Sequence, residues 1–342
     1  MSQIISLQNI ANPSLNSLLR NATWALSKIC SAKPHPALKL EHVRKAIELL
    51  AVIVQQENSE ALVDACWTLS YLSDGDDNRI QSVMDGGVTP YLVNLLCHKN
   101  IKVITPTLRI LGNFTSGNED QTQQVIDAGI LEFTPKLLVN EKKNIRKQTC
   151  WLLSNIAAGS RTQIGSLMRK PINLCTVIEN LRNSEWEVRK EAAWVISNIT
   201  SGGSDRHIQG VVELGAIDAI CSVLTVTDAE IIMVALESID NILKVAEKLG
   251  KGYTDFVDEC DGVEKIELLQ QHVNDNIYNK VVKIIETYFG VEDEYGDENI
   301  LPERHGNQSS FGVSPKKLKF KDSNKSQNLL YSNLISKSPR LL

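Results

Sequence analysis

The residues of this sequence best suited to chemistry on another molecule are tryptophans and asparagines that recur at one spacing. The segments TWALSK, CWTLSY, LRILGN, CWLLSN, AWVISN and LESIDN place Trp24, Trp67, Arg109, Trp151, Trp194 and Glu237 at steps of 43, 42, 42, 43 and 43 residues. Four positions after each stand Lys28, Tyr71, Asn113, Asn155, Asn198 and Asn241. Residues four apart share a helix face, so each pair forms one rung of a ladder. An Asn amide has both a donor and an acceptor and can hold the backbone carbonyl and N–H of a peptide. Parallel indoles make slots for long aliphatic stems and attract the cation at the tip. Asp64 and Glu191 lie three residues before a Trp, one turn away on the same face, where they can pair with a Lys or Arg head. Helices packed roughly 8–10 Å apart match about three residues of extended peptide at ~3.3–3.6 Å each. The ligand this predicts is an extended basic peptide.

Asparagine is a poor residue for the middle of a helix. Its return at one phase of one repeat is hard to explain as core and predicts a binding role. On that reading Asn155→Ala with Asn198→Ala weakens peptide binding at least roughly tenfold while melting barely moves.

The elements that must position these residues follow from a second series. DGGVTPYLVNLL begins at Asp85, DAGILEFTPKLL at Asp127 and ELGAIDAICSVL at Glu213; the intervening copy, RKPINLCTVIENL, has Lys170-Pro171 where Gly is expected. Apolar residues fall at helical spacing, with Gly, Asp and Asn turns between. A period of about 40–47 residues with two or three helices is the armadillo and HEAT class. The short helix before the Gly and the long Trp-bearing helix favour armadillo. The expectation is an all-α, superhelical armadillo-repeat solenoid of about six repeats over 15–289, with a concave face. Residues 1–14 are expected to be flexible. Residues 290–342 are expected to be an acidic and then basic disordered tail.

Composition excludes much else. With 42% apolar residues in 342, 5% aromatics, Gly 19 and Pro 10, the protein reads as helical and able to bury a core. No stretch approaches 18 uncharged apolar residues, and MSQIISLQNI has no basic region before an apolar one, so neither a membrane span nor a signal peptide is expected. Seven cysteines without a CxxC pair read as reduced core thiols of an intracellular protein. The six His show no metal spacing, and no nucleophile, acid/base or phosphate-loop motif occurs; no metal, cofactor or enzymatic activity is expected. The net charge of −5 is uneven. Residues 286–303 hold seven acidic residues and no Lys or Arg, whereas 304–342 hold eight Lys or Arg and one Asp. The remaining body is acidic, which favours basic partners over nucleic acid.

The motifs CWTLSYLSDG, LRILGNFTSGNEDQTQQVIDAG, CWLLSNIAAG and AAWVISNITSGG closely resemble importin α (karyopherin α), the armadillo adaptor of nuclear import. KVAEKLG, DECDGVEKIELLQQH and ETYFGVEDE extend the resemblance over nearly all of 15–300. It implies a groove that binds nuclear localisation signals of cargo, with a major site in the N-terminal repeats and a minor site in the C-terminal ones. It also implies contact of the C-terminal repeats with an export receptor carrying the Ran GTPase, and shuttling between cytoplasm and nucleus. By position the sequence matches the family from its fourth repeat onward. The minor site carries over onto Arg109, Asn113, Trp151, Ser154, Asn155, Glu191, Trp194 and Asn198. Asp64, Trp67, Tyr71, Asp74, Glu119 and Thr122 match other groove positions of the family, and Asn241 continues the Asn row.

Three departures matter. Lys28 stands where an Asn would follow Trp24 and should repel a basic peptide. Gln148 stands three before Trp151, where the family usually has Glu. The family's basic N-terminal arm, which binds importin β, is absent from this sequence and counts against importin β as a partner. The alternative to an adaptor is a non-transport armadillo scaffold, or a decoy that binds cargo without importin β. The tail run SPKKLKFK (314–321) reads as a solvated basic segment, or as a mimic of a localisation signal.

Overall fold

The structure, a computed structural model, describes residues 13–32, 40–56 and 59–290. Residues 1–12 of the expected flexible segment, the tail from 291 and the basic run 314–321 lie outside the described residues. Among the described residues there are 18 α-helices and no strand. The first three are α1 (Pro13–Ser31), α2 (Leu40–Ile53) and α3 (Ser59–Leu72). Four three-helix units follow: α4 (Asp77–Met84), α5 (Thr89–Leu95) and α6 (Ile101–Thr115); α7 (Glu119–Asp127), α8 (Thr134–Leu138) and α9 (Lys143–Ala157); α10 (Arg161–Met168), α11 (Pro171–Asn183) and α12 (Trp186–Gly202); α13 (Asp205–Glu213), α14 (Ala216–Cys221) and α15 (Ala229–Leu249). The last unit is α16 (Tyr253–Glu259), α17 (Gly262–Leu268) and α18 (Asp275–Ile284). No described helix is long and apolar enough to cross a membrane.

Local chemistry sets the unit. Asp76, Asn118 and Ser204 cap the first helix of three units, each accepting from the backbone N–H three residues on. The first and second helices meet at Gly87, Gly129 and Gly215, all left-handed with φ of 67, 86 and 87°, a conformation that a side chain disfavours. The fourth copy turns differently. Lys170 takes φ −121° and Pro171 opens α11, which runs 13 residues; proline suits the first helical position because it needs no hydrogen bond there.

The long third helices stack in order, α1 on α3, α3 on α6, α6 on α9, α9 on α12 and α12 on α15. One apolar residue per unit, Leu69, Leu111, Leu153, Ile196 and Ile239, is wholly buried at the same phase. The result is one continuous core rather than five separate ones. Side-chain amides then tie neighbouring units. Gln121 Nε2 donates to the Asp77 carbonyl and Gln163 Nε2 to the Glu119 carbonyl, each at 2.8 Å. Asn173 Nδ2 donates to the Leu131 carbonyl at 3.2 Å and Asn180 Nδ2 to the Leu138 carbonyl at 3.0 Å. The expectation of core thiols is only partly met. Cys30, Cys66, Cys150 and Cys221 are buried, but Cys97 and Cys175 are exposed, because one follows the end of α5 and the other sits on the outer side of α11.

The array ends on a buried ionic cluster. Asp240 is 1% exposed and stands where Ser154 and Ser197 stand in earlier units. Its carboxylate accepts from Lys244 Nζ at 2.8 Å, Lys280 Nζ at 2.6 Å and Tyr288 Oη at 3.0 Å. Lys280 lies 43 residues after Glu237, at the ladder's Trp phase. Burial pushes the Asp240 carboxyl up, but the lysines and the tyrosine outweigh it and hold it below the usual range. Burial and the same carboxylate raise Tyr288.

Asp240→Ala should therefore strand a half-covered ammonium and cost about 3 kcal/mol, read by chemical denaturation. Because the folded carboxyl titrates below its unfolded value, its contribution is complete at neutral pH and lost as pH falls below about 4. Hydrogen exchange should show α18 losing protection in that acid range before the central helices do.

Candidate peptide-binding surface

The stacking of α3, α6, α9, α12 and α15 brings Trp67, Arg109, Trp151, Trp194 and Glu237 into one row and Tyr71, Asn113, Asn155, Asn198 and Asn241 into another. Trp67, Trp151 and Trp194 are half-buried, whereas Trp24 is 54% exposed. Each unit offers a small residue three positions after its ladder residue: Ser70, Gly112, Ser154 and Ser197. The reason is visible at Gly112, where a Cβ would lie 2.1 Å from Trp151 Cζ3. The Trp151 indole lies against the preceding helix, and only glycine leaves room for it there. On α3 the missing Asn is replaced by Tyr71, whose ring stacks on Trp67 with centroids 5.9 Å apart and 25° between planes.

The asparagines depart from expectation. Asn113 is buried, and its Nδ2 donates to the Ser70 carbonyl and to Ser73 Oγ, both at 3.0 Å. Asn155 Nδ2 donates to the Gly112 carbonyl at 3.1 Å, and Asn198 Nδ2 to the Ser154 carbonyl at 2.9 Å. Asn241 Nδ2 reaches Ser201 Oγ at 3.3 Å. The donor half of each amide is thus committed to the neighbouring unit, which supplies the structural use that sequence reasoning could not find. Asn155 and Asn198 stay half-buried, and among the described residues neither Oδ1 accepts a hydrogen bond. A ligand N–H can reach that acceptor without disturbing the stack. The expectation that these side chains do nothing for melting is corrected accordingly.

The remaining site residues divide. Ser154 and Thr122 are buried, their hydroxyls donating to the Trp151 carbonyl at 2.8 Å and the Thr115 carbonyl at 3.2 Å; both serve the framework. Asp74 and Arg109 pair with each other at 3.0 Å, so the charge of Asp74 is matched within the protein. Asp64 is half-buried and has a partner within the protein. Glu119 is exposed in the first turn of α7. Glu191 is half-buried on α12, and among the described residues its carboxylate accepts no hydrogen bond. Burial raises it, against the pull of Lys147 and Lys190. At the N-terminal end the Lys28 ammonium lies over the Trp24 ring, 5.9 Å from its centroid, so the protein's own cation sits where a ligand's would. Asp240, Lys280 and the Gln121 and Gln163 ties escaped sequence reasoning. The signal for the two Gln ties was the 42- to 44-residue spacing of Asn118, Ser160 and Ser204, each with a Gln or His three residues on.

Asn155→Ala with Asn198→Ala should lower unfolding stability by about 1–3 kcal/mol, two hydrogen bonds at roughly 0.5–1.5 each, as measured by denaturant titration. Gly112→Ala should displace the Trp151 indole, costing about 1–3 kcal/mol for the forced shift, with a change in tryptophan fluorescence that Ser154→Ala does not produce.

Residues 118–158 match the armadillo/β-catenin-like repeat family and residues 251–303 the atypical armadillo repeat family. The sequence is 45% identical over 313 residues to importin subunit alpha-4 of Arabidopsis thaliana, and 48% identical over 301 residues to importin subunit alpha-B of Dictyostelium discoideum. These alignments take in 87% and 86% of this protein, which spans 57% of the length of each relative. Among solved structures, a designed armadillo repeat protein in complex with the peptide (KR)4 superposes with a TM-score of 0.63 at 29% identity, over 70% of this protein and 98% of that one. Computationally designed armadillo repeat proteins for modular peptide recognition match at 30% identity and a TM-score of 0.62, over 69% of this protein and 98% of theirs. The protein belongs to the armadillo-repeat family, and α subunits of importin are among its sequence relatives.

Proposed function

We propose that this protein acts as a nuclear import adaptor that binds basic nuclear localisation signals of cargo along the Trp/Asn surface, mainly through its C-terminal rungs. The observation that carries the proposal is the α9–α12 rung. Two half-buried indoles, Trp151 and Trp194, flank an Asn row with open Oδ1 acceptors and a half-buried Glu191 that accepts no hydrogen bond among the described residues. A cationic side chain entering there gains aromatic faces for its stem and a carboxylate for its head. The N-terminal rung is self-filled by Lys28 over Trp24, which moves the site toward the C-terminal end. That a designed armadillo repeat protein forms a complex with the peptide (KR)4 supports an alternating Lys/Arg peptide as ligand.

The wider role belongs to the same proposal. Signal-bearing cargo is carried into the nucleus, and the C-terminal region returns the protein through an export receptor with the Ran GTPase, so the protein shuttles between cytoplasm and nucleus. The acidic segment 286–303, at the C-terminal end of the residues that match the atypical armadillo repeat, serves the export receptor and not cargo.

A labelled (KR)4 peptide titrated at two ionic strengths tests the groove. Binding should be measurable at low salt and weaken at high salt, where charges more than ~10 Å apart are screened; affinity unchanged by salt would remove the electrostatic basis. Asn155→Ala with Asn198→Ala should weaken binding at least roughly tenfold in a variant shown by circular dichroism to be folded. Deleting 290–342 should abolish export-receptor binding in a pull-down and leave the peptide affinity intact; a collapse of peptide affinity would place that segment in the groove or the fold.

A further inference from the structure

The position three residues before each ladder residue varies along the array: Asp64, Pro106, Gln148 and Glu191. On α9 and α12 the difference is one of charge alone. Glu191 is half-buried, carries a negative charge and accepts no hydrogen bond among the described residues. Gln148 is also half-buried, but neutral, and its Oε1 is buried without a hydrogen-bond partner. An acceptor left unpaired in the interior is costly. Swinging the whole amide outward, so that Oε1 meets a donor there, gives up no hydrogen bond that Oε1 makes inside the protein.

The surroundings of Gln148 do not favour a cation. On α6 the neighbouring ladder residue is Arg109 rather than an indole. The nearest carboxylate to that arginine, Asp74, is already bound to it at 3.0 Å. Pro106, at the Gln148 phase on the same helix, is buried and brings no charge. An ammonium entering this rung would lose water and face the Arg109 guanidinium, with Asp74 already paired and Gln148 supplying no charge. An uncharged amide or hydroxyl would lose less and can donate to Gln148 Oε1.

We propose that adjacent rungs read different chemistry: the Trp194/Glu191 rung requires Lys or Arg, whereas the Arg109/Trp151/Gln148 rung accepts an uncharged hydrogen-bond donor such as Gln, Asn or Ser at least as well as a cation. The ligand class is then a peptide with a basic residue beside an amide or hydroxyl residue, rather than an unbroken basic run. This rests on the peptide-binding reading above and narrows it.

The test uses the 342-residue protein and labelled peptides carrying one fixed Lys in a Gly/Ala background, with Lys, Gln or Ala two, three or four residues away on either side. Affinities are read by fluorescence anisotropy. At one spacing, Gln should match Lys within about twofold and exceed Ala by about fivefold. Gln148→Glu should make Lys at least about fivefold better than Gln at that spacing only. Gln148→Met, which keeps the length and lacks the amide, should erase the advantage of Gln over Ala. Glu191→Gln should weaken every peptide about tenfold whatever the second residue. Lys exceeding Gln by fivefold or more at every spacing in the unaltered protein overturns the inference and leaves the peptide groove standing. An unchanged Lys/Gln ratio in both Gln148 variants does the same. Absence of binding by any Lys-bearing peptide overturns the groove and the inference together.

Discussion

The structure depends on a side-chain amide that crosses from one helix to the end of its neighbour. A backbone carbonyl has two lone pairs, so one near a helix end can take a donor from outside in addition to its bond within the helix. Asn113, Asn155 and Asn198 each donate to a carbonyl in the last turn of the preceding long helix, and at Gly112 and Ser154 that carbonyl also accepts from the backbone N–H four residues on. Gln121 and Gln163 tie the first helices at their opposite end, each donating to the carbonyl of the first residue of the preceding unit's first helix, and Asn173 and Asn180 reach carbonyls just before and at the end of α8. Every layer therefore carries its own polar tie beside the shared apolar core. These bonds fix the rotation of one unit against the next, which a smooth apolar contact alone leaves loose.

The candidate binding surface is a by-product of this arrangement. An amide has two ends, and the tie uses only the donor. Oδ1 of Asn155 and Asn198 is left facing outward at the same interval as the helices, so the repeat that stabilises the stack also rules the surface with acceptors. The indoles are placed by a related economy: Trp151 can lie against α6 because Gly112 has no side chain. Framework and candidate site are then coupled, since the same side chains serve both rows.

The two ends break the pattern by charge. At the start, Lys28 covers the face of Trp24. At the finish, Asp240 replaces the small residue and Lys280 replaces the aromatic one, so an ion pair and a tyrosine hydroxyl take over from indole packing. A solenoid needs a last unit that does not invite another, and a buried carboxylate satisfied by three donors closes the array.

Much of this was legible in the sequence. The 42- to 43-residue step, the helical spacing of apolar residues and the glycines at Gly87, Gly129 and Gly215 determined an all-α array of stacked repeats, because these are local signals that one position carries by itself. They also determined which residues share a row. Only the tertiary structure decided what each row does. It showed that Asp74 is matched by Arg109, that Thr122 and Ser154 face inward, and that each Asn has spent its donor on a neighbour about 43 residues away. It found the Asp240 cluster, whose members are local oddities until the fold brings positions 240, 244, 280 and 288 together. Periodicity fixes the face a side chain shares. Whether its hydrogen bonds are already spent is a property of the neighbouring helix, and no single segment of sequence contains that.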